Sequence, residues 1–323
     1  MRYHRLTQEQ RYQIYALYKE GCTLEVIAKN IGKDKSTISR ELKRNRGLKG
    51  YRPKQAHKKA ERRVADKPKY RRLDTQQITY INRKIRLYWS PEQISGRMKL
   101  EGIDSVSHET IYQYLLQDKA DGGKLYTFLR HKNKRYKRRY GSNDRRGQIV
   151  NKRSIEERPD IVDEKSRIGD FEIDLVIGKG HKQALVTVVD IASKFTLIRK
   201  ISHKKSVFVQ TALTEMMLPF KSWLHTITSD NGKEFAKHEK IAETLDIDFF
   251  FCHPYSSWER GLNENTNGLI RQFFPKGSDF TTITQTQVLE AQNRLNYRPR
   301  KTLGYKSPAE VFYGKIFELE QSA

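Results

Sequence analysis

The chain is 323 residues long, 36% hydrophobic and 31% charged, with a formal net charge of +25. That length predicts two or three domains, and that charge a polyanionic partner, because neutralising phosphates releases their counterions. Two cysteines, Cys22 and Cys252, are too few for a disulfide framework or a four-ligand zinc site, and no apolar run suits a membrane span or a signal peptide. The charge is uneven. Residues 1–165 hold 42 Lys and Arg against 20 Asp and Glu, whereas residues 166–323 hold 21 against 18. The front half is expected to grip the polyanion.

Residues 1–50 predict three helices. Thr7 caps the first, which runs to about Glu20 with Ile14, Leu17 and Tyr18 on one face. Thr23 caps the second, which carries Leu24, Ile27, Ala28 and Ile31 and stops at Gly32. Asp34 or Ser36 starts the third, with Ile38 and Leu42 inward. Small Ala28 and the turn at Gly32 suit a helix-turn-helix. Ser36, Thr37, Ser39, Arg40, Lys43 and Arg44 are left on its outer face, polar and basic as a major groove and its flanking phosphates require.

Residues 51–72 read as a basic connector, either a charged helix or an extended arm. A second three-helix pattern spans 73–129. It comprises Thr75–Tyr88 with Ile78, Ile81, Ile85 and Leu87, a helix opened by Ser90 and Pro91, and one capped by Ser107 with Ile111, Leu115 and Leu116 inward. Ser107, His108, Thr110 and Gln113 are its candidate DNA contacts; a purely structural or dimerising bundle is the other reading. Residues 130–160 form a basic linker, able to order on a phosphate backbone.

Beyond residue 160 the pattern changes. Runs 168–178, 184–191 and 195–201 predict an antiparallel meander. Helix Ser206–Met217, strand Leu224–Ser229, helix Lys233–Leu245, strand Ile247–Phe251 and helices Glu259–Phe273 and Thr284–Asn296 follow. The chain is therefore expected to be multidomain: all-α units in front, and at 161–323 an α/β domain around one mixed five-stranded sheet.

Three acids stand on separate elements of that domain. Asp174 lies inside a strand in GDFEIDLVIG and Asp230 at a strand end in TSDNGKEF; Glu264 lies on a helix in SSWERGLNENTNGLIRQFFPKG, with 33 residues between it and Asp230. In a basic chain they suggest a Mg²⁺ site acting on phosphodiesters, since Mg²⁺ prefers hard oxygen ligands and two-metal chemistry needs acids that bridge or flank the cations. Arg271, seven residues after Glu264, shares nearly the same helix face and is a candidate phosphate contact. Asn231, His253 and Asn267 flank the site. Asp190, Glu172 and Glu259 compete for the same role: Asp190 suits a turn cap, Glu172 shares strand parity with Asp174, and Glu259 just precedes the helix.

These three segments resemble the catalytic blocks of DDE transposases of the insertion sequence thirty family. IAKNIGKDKSTISRELKRN resembles that family's N-terminal helix-turn-helix, and SPEQISGRM with VSHETIYQYL its second. The resemblance implies a ribonuclease-H-like integrase catalytic core, with Asp174, Asp230 and Glu264 as a triad holding Mg²⁺, for which Mn²⁺ can substitute. It implies double-stranded DNA as partner (terminal inverted repeats and target), strand nicking by water, and attack of the freed 3′-hydroxyl on target DNA. A homodimer or higher oligomer would synapse two ends, in a prokaryotic-type, cytoplasmic, nucleoid-associated setting. The HHCC zinc module of retroviral integrases is absent. A DNA-binding regulator with an inert α/β domain is the competing class, and the three intact acids argue against it. No Arg/His/Arg/Tyr arrangement supports a tyrosine recombinase.

Overall fold

The computed structural model describes residues 5–66, 73–130, 149–181, 183–254 and 256–322, so the end of the basic connector and most of the basic linker lie outside the described residues. The chain divides into two compact units, residues 1–72 and 73–323. Among the described residues, no helix is long and apolar enough to cross a membrane.

The first unit holds α1 (Gln8–Lys19), α2 (Leu24–Ile31), α3 (Lys35–Asn45) and α4 (Pro53–Ala65). Thr7 and Gln10 form a capping box, Gly32 ends α2 at φ 67°, and the Asp34 side chain accepts the Ser36 N–H at 2.7 Å to start α3. Ile14, Ile27 and Ile38 are fully buried between the helices, and the connector is helical through Ala65. Tyr18 is exposed rather than inward. The inner face of α1 instead carries Arg11, whose guanidinium reaches Glu41 of α3 at 2.8 Å and the Leu6 carbonyl at 2.6 Å. Tyr51 donates to the same Glu41 carboxylate at 3.2 Å, so one buried acid ties α1, α3 and the approach to α4.

The second unit opens with α5 (Thr75–Arg86), α6 (Pro91–Leu100) and α7 (His108–Ala120), packed around Ile81, Ile85, Trp89, Ile94, Met98, Ile111 and Leu115. Two residues expected inward are exposed, Leu87 and Leu116. Helix α5 stops at Arg86 because Tyr88 turns to φ 66°, and Leu115, four residues after Ile111, takes the inward place that Leu116 cannot share.

The α/β part continues with β1 (Arg153–Ser154), α8 (Ile161–Glu164), β2 (Asp170–Ile177), β3 (Ala184–Asp190), β4 (Thr196–Ile201), α9 (Ser206–Met217) and β5 (Thr226–Ser229). It ends with α10 (His238–Leu245), β6 (Asp248–Phe251), α11 (Gly261–Phe273), α12 (Gln285–Asn296) and α13 (Pro308–Ser322). The described sheet has six strands in the order β1-β6-β5-β2-β3-β4 rather than the five expected. The sixth is the two-residue β1, which pairs parallel with Phe250 and Phe251 from within the segment read as linker. Strands β2, β3 and β4 are antiparallel; β5 runs parallel to β2 and to β6. Phe171, Ile173 and Leu175 of β2 face a core shared with α9, α10 and α13, while Val176 faces α11 and α12 through Leu269, Ile270 and Val288. Helix α13 went unanticipated; its Phe312 stacks on Phe195 with ring centroids 4.4 Å apart.

Helices α5–α7 pack on this α/β layer. Arg97 of α6 forms a two-pronged ion pair with Glu310 of α13, both contacts at 2.7 Å. The Tyr305 ring covers Gly96, where any side chain would overlap it. Hydrogen bonds from Arg97 are the main force holding the Glu310 carboxyl down at about 2. Replacing Gly96 by Val is expected to loosen this docking by about 1–3 kcal/mol, seen as a lower Tm and faster amide exchange across α6. Because the folded-state pKa of Glu310 is depressed, its contribution is present above the ordinary Glu value of about 4.3 and is lost as pH falls toward about 2. Glu310→Gln should flatten that acid limb of the stability curve.

Candidate active site

The parallel ladder between β2 and β5 sets Asp170 opposite Thr226, Phe171 opposite Ile227 and Glu172 opposite Thr228. Carried two residues further, the same register places Asp174 level with Asp230, on the same face of the sheet. Asp230 directly follows β5, and its Oδ1 accepts the Gly232 N–H at 2.9 Å as the chain turns. Neighbouring Asn231 donates to the Cys252 carbonyl at 2.6 Å, which fastens this turn to the end of β6.

A cation lies between the two acids. The Arg260 guanidinium, just before α11, has Nη1 3.7 Å from Asp174 Oδ1 and Nη2 3.4 Å from Asp230 Oδ2. It also donates to the Ile173 carbonyl at 3.2 Å. Asn267 of α11 donates to Asp174 Oδ2 at 2.7 Å. Burial raises the Asp174 carboxyl above its ordinary range, Arg260 opposes that shift, and the like charge of Asp230 adds to it. The pair is thus built to share a positive charge, and the donors it offers are carboxylate oxygens of the kind hard divalent cations take.

Glu264 lies in the first turn of α11, exposed, one turn before Asn267 and so on the helix face that meets β2. Among the described residues it has no hydrogen-bond or ion-pair partner, and no three His, Cys, Asp or Glu side chains stand close enough to hold a metal ion. Asp174 and Asp230 are brought together; Glu264 shares their helix neighbour without touching them.

Helix α11 runs along β2 by one face. Asn263 gives its backbone N–H to Glu172 at 3.1 Å and its side-chain amide to Ile173 O at 3.2 Å. Arg271 donates to Ile177 O at 2.8 Å and approaches the Phe274 and Pro275 carbonyls at 3.5 Å. The seven-residue interval therefore does place Arg271 on the acid-bearing face, with its guanidinium occupied as a tie between helix and strand. His253 sits between Glu259 at 2.8 Å and Glu156 at 3.3 Å, which raise its pKa, the Glu259 hydrogen bond most.

The competing acids have other work. Glu172 is buried and raised by that burial, and Glu259 holds His253. Asp190 is fully buried, accepts from Gly169 N and from Ser193 N and Oγ, and is pushed up to about 6. Sequence reasoning missed Arg260, although a cation four residues before Glu264 was a usable signal. It also missed Glu234. A Cβ on Gly232 would stand 2.7 Å from Glu234 Oε2 and 2.9 Å from Asp230 Oδ1, so these two carboxylates face one another across that glycine. Burial raises the Glu234 carboxyl, and the charges of Asp230 and Asp174 add to the rise.

Ser36, Ser39, Arg40, Lys43 and Arg44 are exposed along α3, and Thr37 is half-buried. Arg40 folds back onto the Ser36 carbonyl at 3.0 Å. In α7, Ser107 Oγ accepts the Thr110 N–H at 3.1 Å and bonds its hydroxyl at 2.9 Å, so both residues serve the helix cap. His108 is exposed with its ring edge toward Tyr112, and Gln113 donates to Glu109 at 2.7 Å.

A mixed sheet with β2, β3 and β4 antiparallel, two level aspartates on adjacent parallel strands and a helix laid along them define an integrase-type phosphodiester-transfer core. Residues 168–257 match the integrase core domain family, whose members generally use a divalent metal ion, and residues 2–45 match a helix-turn-helix domain family. The transposase of insertion sequence element IS4351 from Bacteroides fragilis is 48% identical over 309 residues, covering 95% of each chain. Transposase InsI of element IS30A from Escherichia coli K12 is 36% identical over 319 residues, covering 95% of this chain and 82% of its own. The catalytic core of BIV integrase aligns over 47% of this chain and 98% of its own at 17% identity, with a TM-score of 0.38. The chain belongs to the IS30 family of insertion-sequence transposases, DNA-binding enzymes of DNA cleavage and strand transfer.

Removing the cation between the aspartates should leave two like charges opposed. Arg260→Gln is expected to lower stability by about 1–3 kcal/mol in EDTA. Added Mg²⁺ should then raise the Tm of the variant more than that of the wild type; equal shifts would mean that the guanidinium and the metal do not share the site.

Proposed function

We propose that Asp174, Asp230 and Glu264 are the DDE triad of this transposase and hold Mg²⁺, with Mn²⁺ as substitute. The observation that carries this reading is the level placement of Asp174 and Asp230 around one positive charge. Glu264, one turn from the Asn267 that touches Asp174, is the acid α11 offers as third ligand. When bound, the metal supplies charge neutralisation at the phosphate and activation of the attacking oxygen.

This chain's residues then have separable tasks. Asn267 and the Leu175 N–H, at 2.7 and 2.8 Å, orient the Asp174 carboxylate, and the Gly232 N–H orients that of Asp230. The exposed cations of α3 and its hydroxyls hold the terminal inverted repeats, with Arg40, Lys43 and Arg44 on phosphates and Ser36 and Ser39 toward bases. His108 and Gln113 are the remaining outward-facing contacts that α7 offers. Asn231 and Arg271 brace the site. Two ends must be nicked and joined to one target, so a homodimer or larger assembly on DNA, in the cytoplasm and on the nucleoid, completes the reading.

Asp174→Asn, Asp230→Asn and Glu264→Gln should each lower nicking and strand transfer by a factor on the order of 10³ or more while retaining end binding. An active Glu264→Gln protein would remove that residue from the triad. Arg40→Ala or Lys43→Ala should instead weaken end binding and reduce the slope of log K against log salt by about 1 each.

A further inference from the structure

Four arginines gather where α5–α7 meet α11. Arg298 is 2% exposed; it donates to Gln272 of α11 at 3.1 Å and lies 5.8 Å from the Phe273 ring, while its Nε and Nη2 have no partner. Arg294 lies over Tyr88 at 5.1 Å, and the Tyr88 ring in turn meets Phe273 at 5.0 Å. Arg130 is exposed, with Nη1 3.5 Å from Asn265 and Nη2 against Gly268 of the same helix. Arg300 donates to Leu295 O at 3.1 Å, and its buried Nε is unpartnered. None of the four is paired with an acid among the described residues. Burial and mutual repulsion bring Arg298 down to about 9 and Arg300 to about 10.

Uncompensated buried cations are costly, and guanidinium is the side chain whose planar fork matches a phosphate. The cluster also has an opening. A cleft of about 750 Å³ runs along α11, lined by Gly261, Leu262, Asn265, Thr266, Leu269 and Arg300, and Arg130 reaches the same Asn265. The acids of the cleft are already engaged: Glu172 by the Asn263 N–H, Asp163 by Arg158, and Glu156 and Glu259 by His253.

We infer that this cleft is a seat for a DNA strand, with Arg130 and Arg300 contacting consecutive backbone phosphates and Arg298 and Arg294 backing them with positive charge. The docked helices α5–α7 and the catalytic layer thereby build one phosphate site together, Arg130 coming from the helical side and Arg300 from the catalytic side. The inference needs DNA only as the polyanion, and it is read by binding, so it stands or falls apart from the metal triad.

The test uses the full chain in EDTA and a fluorescein-labelled duplex of mixed sequence, titrated by anisotropy across a KCl series. The Arg130→Gln/Arg300→Gln double variant should bind on the order of tenfold more weakly near physiological salt and lose about 2 from the log–log salt slope. Lys240→Gln, an exposed charge on α10, should lose less than half that affinity. A double variant with wild-type affinity and slope overturns the inference. Should the double variant fail to fold, exposed Arg130→Gln alone decides, with an expected slope loss of about 1. Arg298→Met separates strain for function from bracing: it should keep or raise the Tm while weakening DNA binding. A lower Tm with unchanged binding would make the cluster a structural brace.

Discussion

Two carboxylates on adjacent parallel strands repel, and the register that makes β2 and β5 a good ladder also sets Asp174 and Asp230 level. The sheet tolerates that arrangement because a guanidinium lies between them and because Asn267 and two backbone N–H groups donate hydrogen bonds to the carboxylates. The positive charge that eases this pair is the guanidinium of Arg260. Two ties hold the elements that carry this pair: the turn after β5 is fastened to β6 through Asn231, and α11 is fastened to β2 at Glu172, Ile173 and Ile177.

Helix α11 is where the separate parts of the second unit meet. One face carries Asn263, Asn267 and Arg271 along β2, with Arg260 just before it; another presents Asn265, Gly268 and Gln272 to Arg130, Phe128 and Arg298. A helix held from both sides transmits displacement from one side to the other, since packed interfaces do not deform continuously. The contacts of Tyr88, after α5, with Phe273 and of Phe128, after α7, with Gln272 therefore place the helical layer one helix away from the acids.

The first unit shows a different economy. Its three-helix core is small, and a buried ion pair between Arg11 and Glu41, with Tyr51 on the same carboxylate, fixes α1 against α3. Burial of such a pair adds little net stability but penalises every other packing of the helices, since any other would strand a charge. That leaves the α3 outer face presented in one orientation, as groove reading demands.

Much of this was legible in the residues alone. Periodicity and caps located α1–α3, β2–β6 and the helices from α9 to α12 within a few positions, because burial on one face writes itself into the spacing of apolar side chains. The order strand, strand end and helix for Asp174, Asp230 and Glu264 was equally readable. What periodicity could not supply was anything set by partners distant in the chain. The two-residue β1 has no pattern of its own and exists only because Phe250 and Phe251 offer an edge. Arg271 and Arg260 look alike as cations near an acidic helix, yet one is consumed by carbonyls and the other bridges two strands. Composition, spacing and resemblance determined the class of chemistry and singled out three candidate acids; only the tertiary structure decided which charges face each other, because electrostatic energy depends on distance through space and not on separation along the chain.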